Sequence, residues 1–174
     1  KQDHLWTNNY PDHLKWEDRL EITPIFDMME NAREKYGDKP AFDFLGKKYN
    51  WGEMASMADH MARGLQNLGI GKSSKVGIFL PNCPMFIVAF YAISKIGATV
   101  VHYNPLYSVN ELKHQIEDSH TDLMVTADLA MLHDKMLEML SATRLNQLVI
   151  CPFTEMLPFP KNVLFKVLKG KELA

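Results

Sequence analysis

Lys75-Val76-Gly77-Ile78-Phe79-Leu80, then the turn Pro81-Asn82-Cys83-Pro84, an apolar run over 85–96, Gly97, and Thr99-Val100-Val101-His102-Tyr103 before Asn104-Pro105: this stretch decides the fold. It reads as strand, helix, strand. The flanking runs are short and rich in Val and Ile, the composition of a strand buried on both faces. Pro84 suits the first helical turn, where its missing N–H costs nothing. Gly97 suits the left-handed position that closes a helix. The helix between them is apolar almost all round, including Phe86, Ile87, Val88, Phe90, Ile93 and Ile96. A surface helix carries one apolar stripe, so this one is expected to be covered on most sides. A covered helix between parallel strands implies a larger α/β assembly built around it.

Upstream, Thr23-Pro24 supplies an N-cap and a first helical position. Ile25, Phe26, Met29 and Ala32 then form an apolar face that ends at Gly37. Residues 41–44 and 48–51 are expected to pair as a hairpin turning at Leu45-Gly46-Lys47. Asn50 with Glu53 makes a capping pair for a helix reaching about Leu68, striped by Met54, Ala58, Met61, Leu65 and Leu68. Residues 1–22 carry Trp6, Tyr10, Pro11 and Trp16 and read as an irregular arm packed on the domain by its aromatics.

Downstream, Ser108 and Glu111 predict a capping box for a helix with the stripe Val109, Leu112 and Ile116. Residues 122–126 form a third strand, and Leu129, Leu132, Met136, Leu137 and Leu140 mark a helix. Gln147-Leu148-Val149-Ile150-Cys151 is a fourth strand. Strands alternating with helices predict a parallel sheet with right-handed crossovers. From Pro152 the pattern changes, with breaks at Pro158 and Pro160. The expected organisation is an arm over 1–22, a layered parallel-sheet α/β unit with a small hairpin over 23–151, and a linker or amphipathic segment over 152–174.

The 174 residues suffice for one α/β domain with a core. A formal net charge of -2 shows no basic bias and argues against a nucleic-acid partner. Cys83 and Cys151 make no disulfide framework and fit either a reducing compartment or merely buried thiols. No apolar run approaches the roughly 18–20 residues of a membrane span, and no signal-peptide pattern opens the chain. It begins at Lys1 and stops at Lys171-Glu172-Leu173-Ala174 without a closing element, which predicts a longer natural polypeptide.

Ligands of open parallel sheets bind beyond the carboxyl ends of the strands. Two turns qualify, Pro81-Asn82-Cys83-Pro84 and Asn104-Pro105-Leu106-Tyr107-Ser108, each readable as a rigid turn or as a ligand contact. Gly69-Ile70-Gly71-Lys72 precedes a strand instead of opening a helix, so it is a turn and not a phosphate loop. The seven histidines lack metal-ligand spacing, and His114 and His120 are expected at the surface. Cys83 precedes a helix start, where a thiolate gains stability, yet no base or orienting partner accompanies it. The alternative is a small buried residue. Methionines 54, 57 and 61, and again 131, 136 and 139, sit at helical spacing and read as core. Lys161, Lys166, Lys169 and Lys171 surround Phe159, Val163, Leu164, Phe165, Val167 and Leu168. That composition suits a membrane-surface helix or an amphipathic helix docked on the rest of the protein.

Taken together, Val76-Gly77-Ile78-Phe79-Leu80-Pro81-Asn82, the apolar helix, Ile96-Gly97-Ala98 and Asn104-Pro105-Leu106-Tyr107-Ser108 with Glu111-Leu112 closely resemble the adenylate-forming superfamily of acyl-CoA synthetases and related enzymes. Pro40-Ala41-Phe42, Asn50-Trp51-Gly52-Glu53-Met54 and the arm from Trp6 to Trp16 with Tyr10-Pro11 agree, and they point to bacterial long-chain fatty acid–CoA ligases. The resemblance implies a two-step reaction. ATP, with Mg²⁺ neutralising phosphate charge, adenylates a fatty acid and releases pyrophosphate, and coenzyme A then displaces AMP. It implies a cytoplasmic enzyme with peripheral contact at the inner membrane face. The family's Ser/Thr/Gly-rich phosphate loop, ribose-binding acidic residue and lid lysine are absent from residues 1–174, so no catalytic residue is carried over, and this stretch alone is expected to bind neither ATP nor Mg²⁺ and to be inactive. Only Asn104, Pro105, Leu106 and Tyr107 fall in a family region near the path of the coenzyme A arm. An exposed apolar face prone to self-association is also expected. The competing readings are a freestanding flavodoxin-like binding or signalling module and an adenylating enzyme for another acid or acceptor.

Overall fold

The computed structural model describes residues 4–19 and 21–174. Helix α1 (Asp27–Tyr36) leads to the hairpin β1 (Pro40–Phe44) and β2 (Lys47–Asn50), then to α2 (Trp51–Asn67). The alternating unit follows: β3 (Lys75–Ile78), α3 (Pro84–Lys95), β4 (Thr99–His102), α4 (Val109–Ser119), β5 (Leu123–Ala127), α5 (Ala130–Ala142) and β6 (Gln147–Cys151). A 3-10 turn at Phe153–Met156, helix α6 (Lys161–Leu168) and a further 3-10 turn at Gly170–Glu172 follow, and the Ala174 N–H bonds the Asp128 carbonyl at 2.8 Å. Among the described residues no helix is long and apolar enough to cross a membrane.

β3 to β6 form one parallel sheet in the order β4-β3-β5-β6, with Val76 paired to Val100 on one side and Leu123 on the other. The chain reverses direction after β4, so right-handed crossovers put α3 on one face and α4 and α5 on the other. Helix α2 packs on α3, and α4 on α5. The main core runs through the sheet from Leu65 and Ile93 to Leu112, Ile116, Leu132 and Met136. A second cluster of Met29, Tyr49, Met54, Ala55 and Val88 ties α1 and the hairpin to α2 and α3. The expected parallel α/β fold with a small hairpin is thus present.

Local signals act as read. Asn50 Oδ1 accepts the Glu53 N–H at 2.7 Å while the Glu53 carboxylate accepts the Asn50 N–H at 2.9 Å. Ser108 and Glu111 make the same reciprocal pair, which satisfies amides that a helix start leaves without partners. Gly97 takes φ +73°, the left-handed conformation that a β-carbon disfavours. No residue of α3 is fully exposed, as its apolar circumference predicted.

Several expectations need correction. β3 is buried on both faces, but β4 is the edge of the sheet and holds no buried residue, because no strand covers its outer side among the described residues. The first helix starts at Asp27 instead of Thr23. The Asp27 N–H bonds the Pro24 carbonyl in a preceding turn, and Ile25 faces outward. Trp51 begins α2 instead of ending the hairpin. Leu68, Met131 and Leu137 are exposed, since their helices bury only one face. In the arm, His4, Trp6, Tyr10 and Trp16 pack on one another with ring centroids 4.3–6.5 Å apart, and none belongs to either core cluster.

Candidate functional site

In this strand order the topological switch lies between β3 and β5, where an open parallel sheet offers its crevice. Here that point is filled. Phe79 and Leu80 leave β3 fully buried, the Phe79 N–H bonds Val125 O at 2.9 Å, and Thr126 Oγ1 donates to Phe79 O at 3.2 Å. Beyond β5, Asp128 Oδ1 accepts the Phe153 N–H at 2.6 Å, so its carboxylate is engaged in shaping the turn after β6.

The first candidate turn is structural. Cys83 is buried and caps α3 without a side-chain hydrogen bond. Burial pushes its thiol above the ordinary value, outweighing the helix-start N–H groups of Phe86 and Met85. Cys151 is pushed up to about 12 by burial, with smaller contributions from Cys83 and Asp128. Neither thiol is poised as a nucleophile.

The second turn is open. It leaves the carboxyl end of β4 at the sheet edge, with Asn104 exposed and Leu106 81% exposed. Asn104 Oδ1 accepts the Leu106 N–H at 3.0 Å and its carbonyl accepts the Tyr107 N–H at 2.9 Å, so one side chain and one backbone bond fix the loop. Pro105 is half-buried, and Tyr107 packs against the core. From α5, Lys135 Nζ donates to Tyr107 O at 2.7 Å. At the start of α4 beside this turn the capping box already engages the Ser108 and Glu111 N–H groups. Its capping amide is bonded by Glu111, whose carboxyl sits below the usual range because the Ser108 N–H and hydroxyl bond it.

Cavities lie elsewhere, and two of them flank the hairpin. One of about 450 Å³ is lined by Tyr49, Met57, Met61, Met85 and Met156, with Lys47 at its wall donating to Glu155 O at 2.5 Å. The other, about 320 Å³ and nearly all apolar, runs between α6 and the hairpin tip, past Leu45, Phe153, Leu157 and Phe165. The 104–107 residues line neither. Sequence reading missed Lys135, and nothing in its position on α5 pointed to Tyr107, 28 residues away.

A parallel sheet wrapped by helices, with a hairpin on its flank and an exposed ordered turn at its carboxyl edge, defines a layered α/β protein. A model of the AMP-binding enzyme family matches residues 29–171, and the chain belongs to that family. It is 30% identical over 168 residues to a long-chain-fatty-acid–CoA ligase of Bacillus subtilis, covering 97% of this chain and 30% of that protein. A crystal structure of a long-chain-fatty-acid–CoA ligase from Archaeoglobus fulgidus aligns with TM-score 0.67 and 26% identity, over 76% of this chain and 28% of that one. The N-terminal domain of FACL13 from Mycobacterium tuberculosis aligns with TM-score 0.68 at 17% identity, over 88% of this chain and 37% of that one, and shares the fold. This chain spans about a third or less of the ligases it matches, and it corresponds to their amino-terminal region.

Proposed function

We propose that this chain is the amino-terminal part of an ATP-dependent fatty acid–CoA ligase, which converts acid, ATP and coenzyme A into acyl-CoA, AMP and pyrophosphate. The observation that carries the reading is the similarity to the B. subtilis ligase along 97% of the chain. Residues 1–22 serve as an arm, 23–151 as the α/β unit, and 152–174 lead to the remainder. In the whole enzyme the turn Asn104-Pro105-Leu106-Tyr107 lines the path of the coenzyme A arm. Its exposure at the sheet edge and its anchoring by Lys135 support that role.

ATP and Mg²⁺ serve the whole enzyme, and the described residues do not fit either one. They hold no group of three or more His, Cys, Asp or Glu able to bind a metal, and the capping amide of α4 is engaged by Glu111. In this reading adenylation is carried by other parts of the enzyme, and residues 1–174 alone are inactive. The filled switch point counts against a freestanding flavodoxin-like module, which would hold its ligand there. Long-chain acids dissolve poorly in water, which suits a cytoplasmic enzyme in peripheral contact with the inner membrane face. An exposed apolar face would make the isolated chain self-associate.

Incubating the full-length protein with ATP, Mg²⁺, coenzyme A and acids of graded chain length should yield AMP and acyl-CoA. Adenylate formed without thioester, or transfer to another acceptor, would overturn the ligase reading. Carboxylate-dependent ATP–pyrophosphate exchange by residues 1–174 alone would overturn the assigned division of labour.

A further inference from the structure

We propose that α6 and the turn before it form the element by which this protein docks on a membrane surface bearing anionic headgroups. The inference rests on the peripheral-membrane part of the proposed function and assigns it to residues. At about 100° per residue, Val163, Val167, Leu164 and Leu168 share one arc of roughly 140° on α6. Val167 and Leu168 are 74% and 76% exposed, and Phe159, just upstream, is 82% exposed. The arc faces outward because the other side of the helix is fixed. The Phe165 ring packs on Phe153 at 5.2 Å, and Lys161 Nζ donates to Leu45 O at 2.6 Å. A helix anchored by its aromatic residue and turning its aliphatic side outward has no partner for that side among the described residues.

Charge identifies the partner. Residues 157–174 carry four lysines against one glutamate in a chain whose formal net charge is -2. Lys166 borders the aliphatic arc on one side and Lys161 on the other, by the same helical spacing. Lys169 pairs with Glu172, while Lys166 and Lys171 have no carboxylate partner among the described residues. Protein–protein interfaces are depleted in lysine. An aliphatic arc edged by lysines instead matches the boundary between acyl chains and anionic headgroups, where the arc inserts and the ammonium groups of Lys166 and Lys171 meet phosphate. The apolar groove beneath Leu164 and Leu168 opens beside the arc and adds room for an inserted acyl chain.

The test is co-sedimentation of the full-length protein with vesicles of mixed phosphatidylcholine and phosphatidylglycerol, and with vesicles of phosphatidylcholine alone. The protein should bind the mixed vesicles, release with added salt, and bind the neutral ones weakly. The variants V167E/L168E and K166E/K171E should each lower partitioning by about tenfold or more, while carboxylate-dependent ATP–pyrophosphate exchange with a water-soluble medium-chain acid stays at the wild-type rate. Equal binding by the variants, or no binding by the wild type, overturns the proposal. So does a lowered unfolding temperature for V167E/L168E, which would mean that the arc packs on the rest of the polypeptide. A changed oligomeric state would assign the arc to a second copy and overturn it equally. Vesicle binding that depends on these residues in a protein without exchange activity would sink the ligase reading and leave the docking element standing.

Discussion

The ring of Tyr103 lies against the α-carbon of Gly77: a β-carbon at 77 would stand 2.8 Å from Tyr103 Cε2 and equally close to Met124 Cε. Tyr103 cannot swing away. It is buried, and its hydroxyl is bonded to Thr121 Oγ1 at 2.7 Å and Ser119 Oγ at 3.0 Å. Gly77→Ala therefore overpacks the centre of the sheet and should cost about 1–3 kcal/mol, measured as a lower denaturant midpoint at unchanged slope. Tyr103→Phe should cost only about 1 kcal/mol, because Ser119 and Thr121 still bond each other at 2.8 Å and no hydroxyl is orphaned.

Three helices meet at one ionic cluster. Lys95 Nζ on α3 lies 2.5 Å from Asp59 Oδ1 on α2 and 2.5 Å from Glu30 Oε1 on α1, and Arg33 bridges the same two carboxylates. Burial raises the Asp59 carboxyl, but hydrogen bonds from Lys95 and Arg33 outweigh it and hold the pKa below its ordinary 3.8. The folded state thus binds fewer protons than the unfolded one in that window. The stabilisation is complete above the unfolded value and is lost as pH falls through the folded one. Asp59→Asn should cost about 1 kcal/mol at neutral pH and low salt, after allowing for solvent screening of these partly exposed groups. The difference from wild type should shrink as pH drops below about 4 and as salt rises. Parallel unfolding curves across pH and salt measure it.

Tyr49 behaves oppositely. Burial, with smaller contributions from Cys83 and Glu53, pushes its phenol up to about 12. The folded chain keeps that proton at a pH where the unfolded chain has released it. Stability from this group is therefore complete below pH 10 and falls as pH rises from there towards 12. Tyr49→Phe should flatten this part of the stability curve and remove the latest-ionising component from an ultraviolet titration of the folded protein.

What could be read in the sequence was what a few neighbouring residues decide. Asn50 with Glu53, Ser108 with Glu111, and Gly97 act within one helical turn, so their side chains alone specify the geometry. The edge position of β4 depends on strand order, and its Val-rich composition matches that of the central β3. Met131 and Leu137 fit a helical stripe yet face water, because the face α5 buries is narrower than its run of apolar residues. At the candidate site, the turn from Asn104 to Tyr107 was legible from its residues, but its anchor was not. Lys135 reaches Tyr107 only through the packing of α5 beside the sheet. Likewise the docking of α6 depends on Lys161 meeting the Leu45 carbonyl, 116 residues away.

That anchor gives the sharpest test of the turn. Lys135 Nζ bonds the backbone carbonyl of Tyr107, so its expected action on the site is to hold Tyr107 in place. Lys135→Met keeps the aliphatic stem that packs along α5 and removes the charged donor, at a cost in stability of about 1–3 kcal/mol at most. If the turn lines the coenzyme A path, the full-length variant should show a KM for coenzyme A raised about tenfold, the equivalent of some 1.4 kcal/mol. Pyrophosphate exchange, which precedes thiol entry, should be unchanged. Lys135→Arg, which can still donate to the carbonyl, should restore most of the affinity. A variant that loses stability with no change in the coenzyme A KM would make the bond purely structural and remove the 104–107 turn from the substrate path.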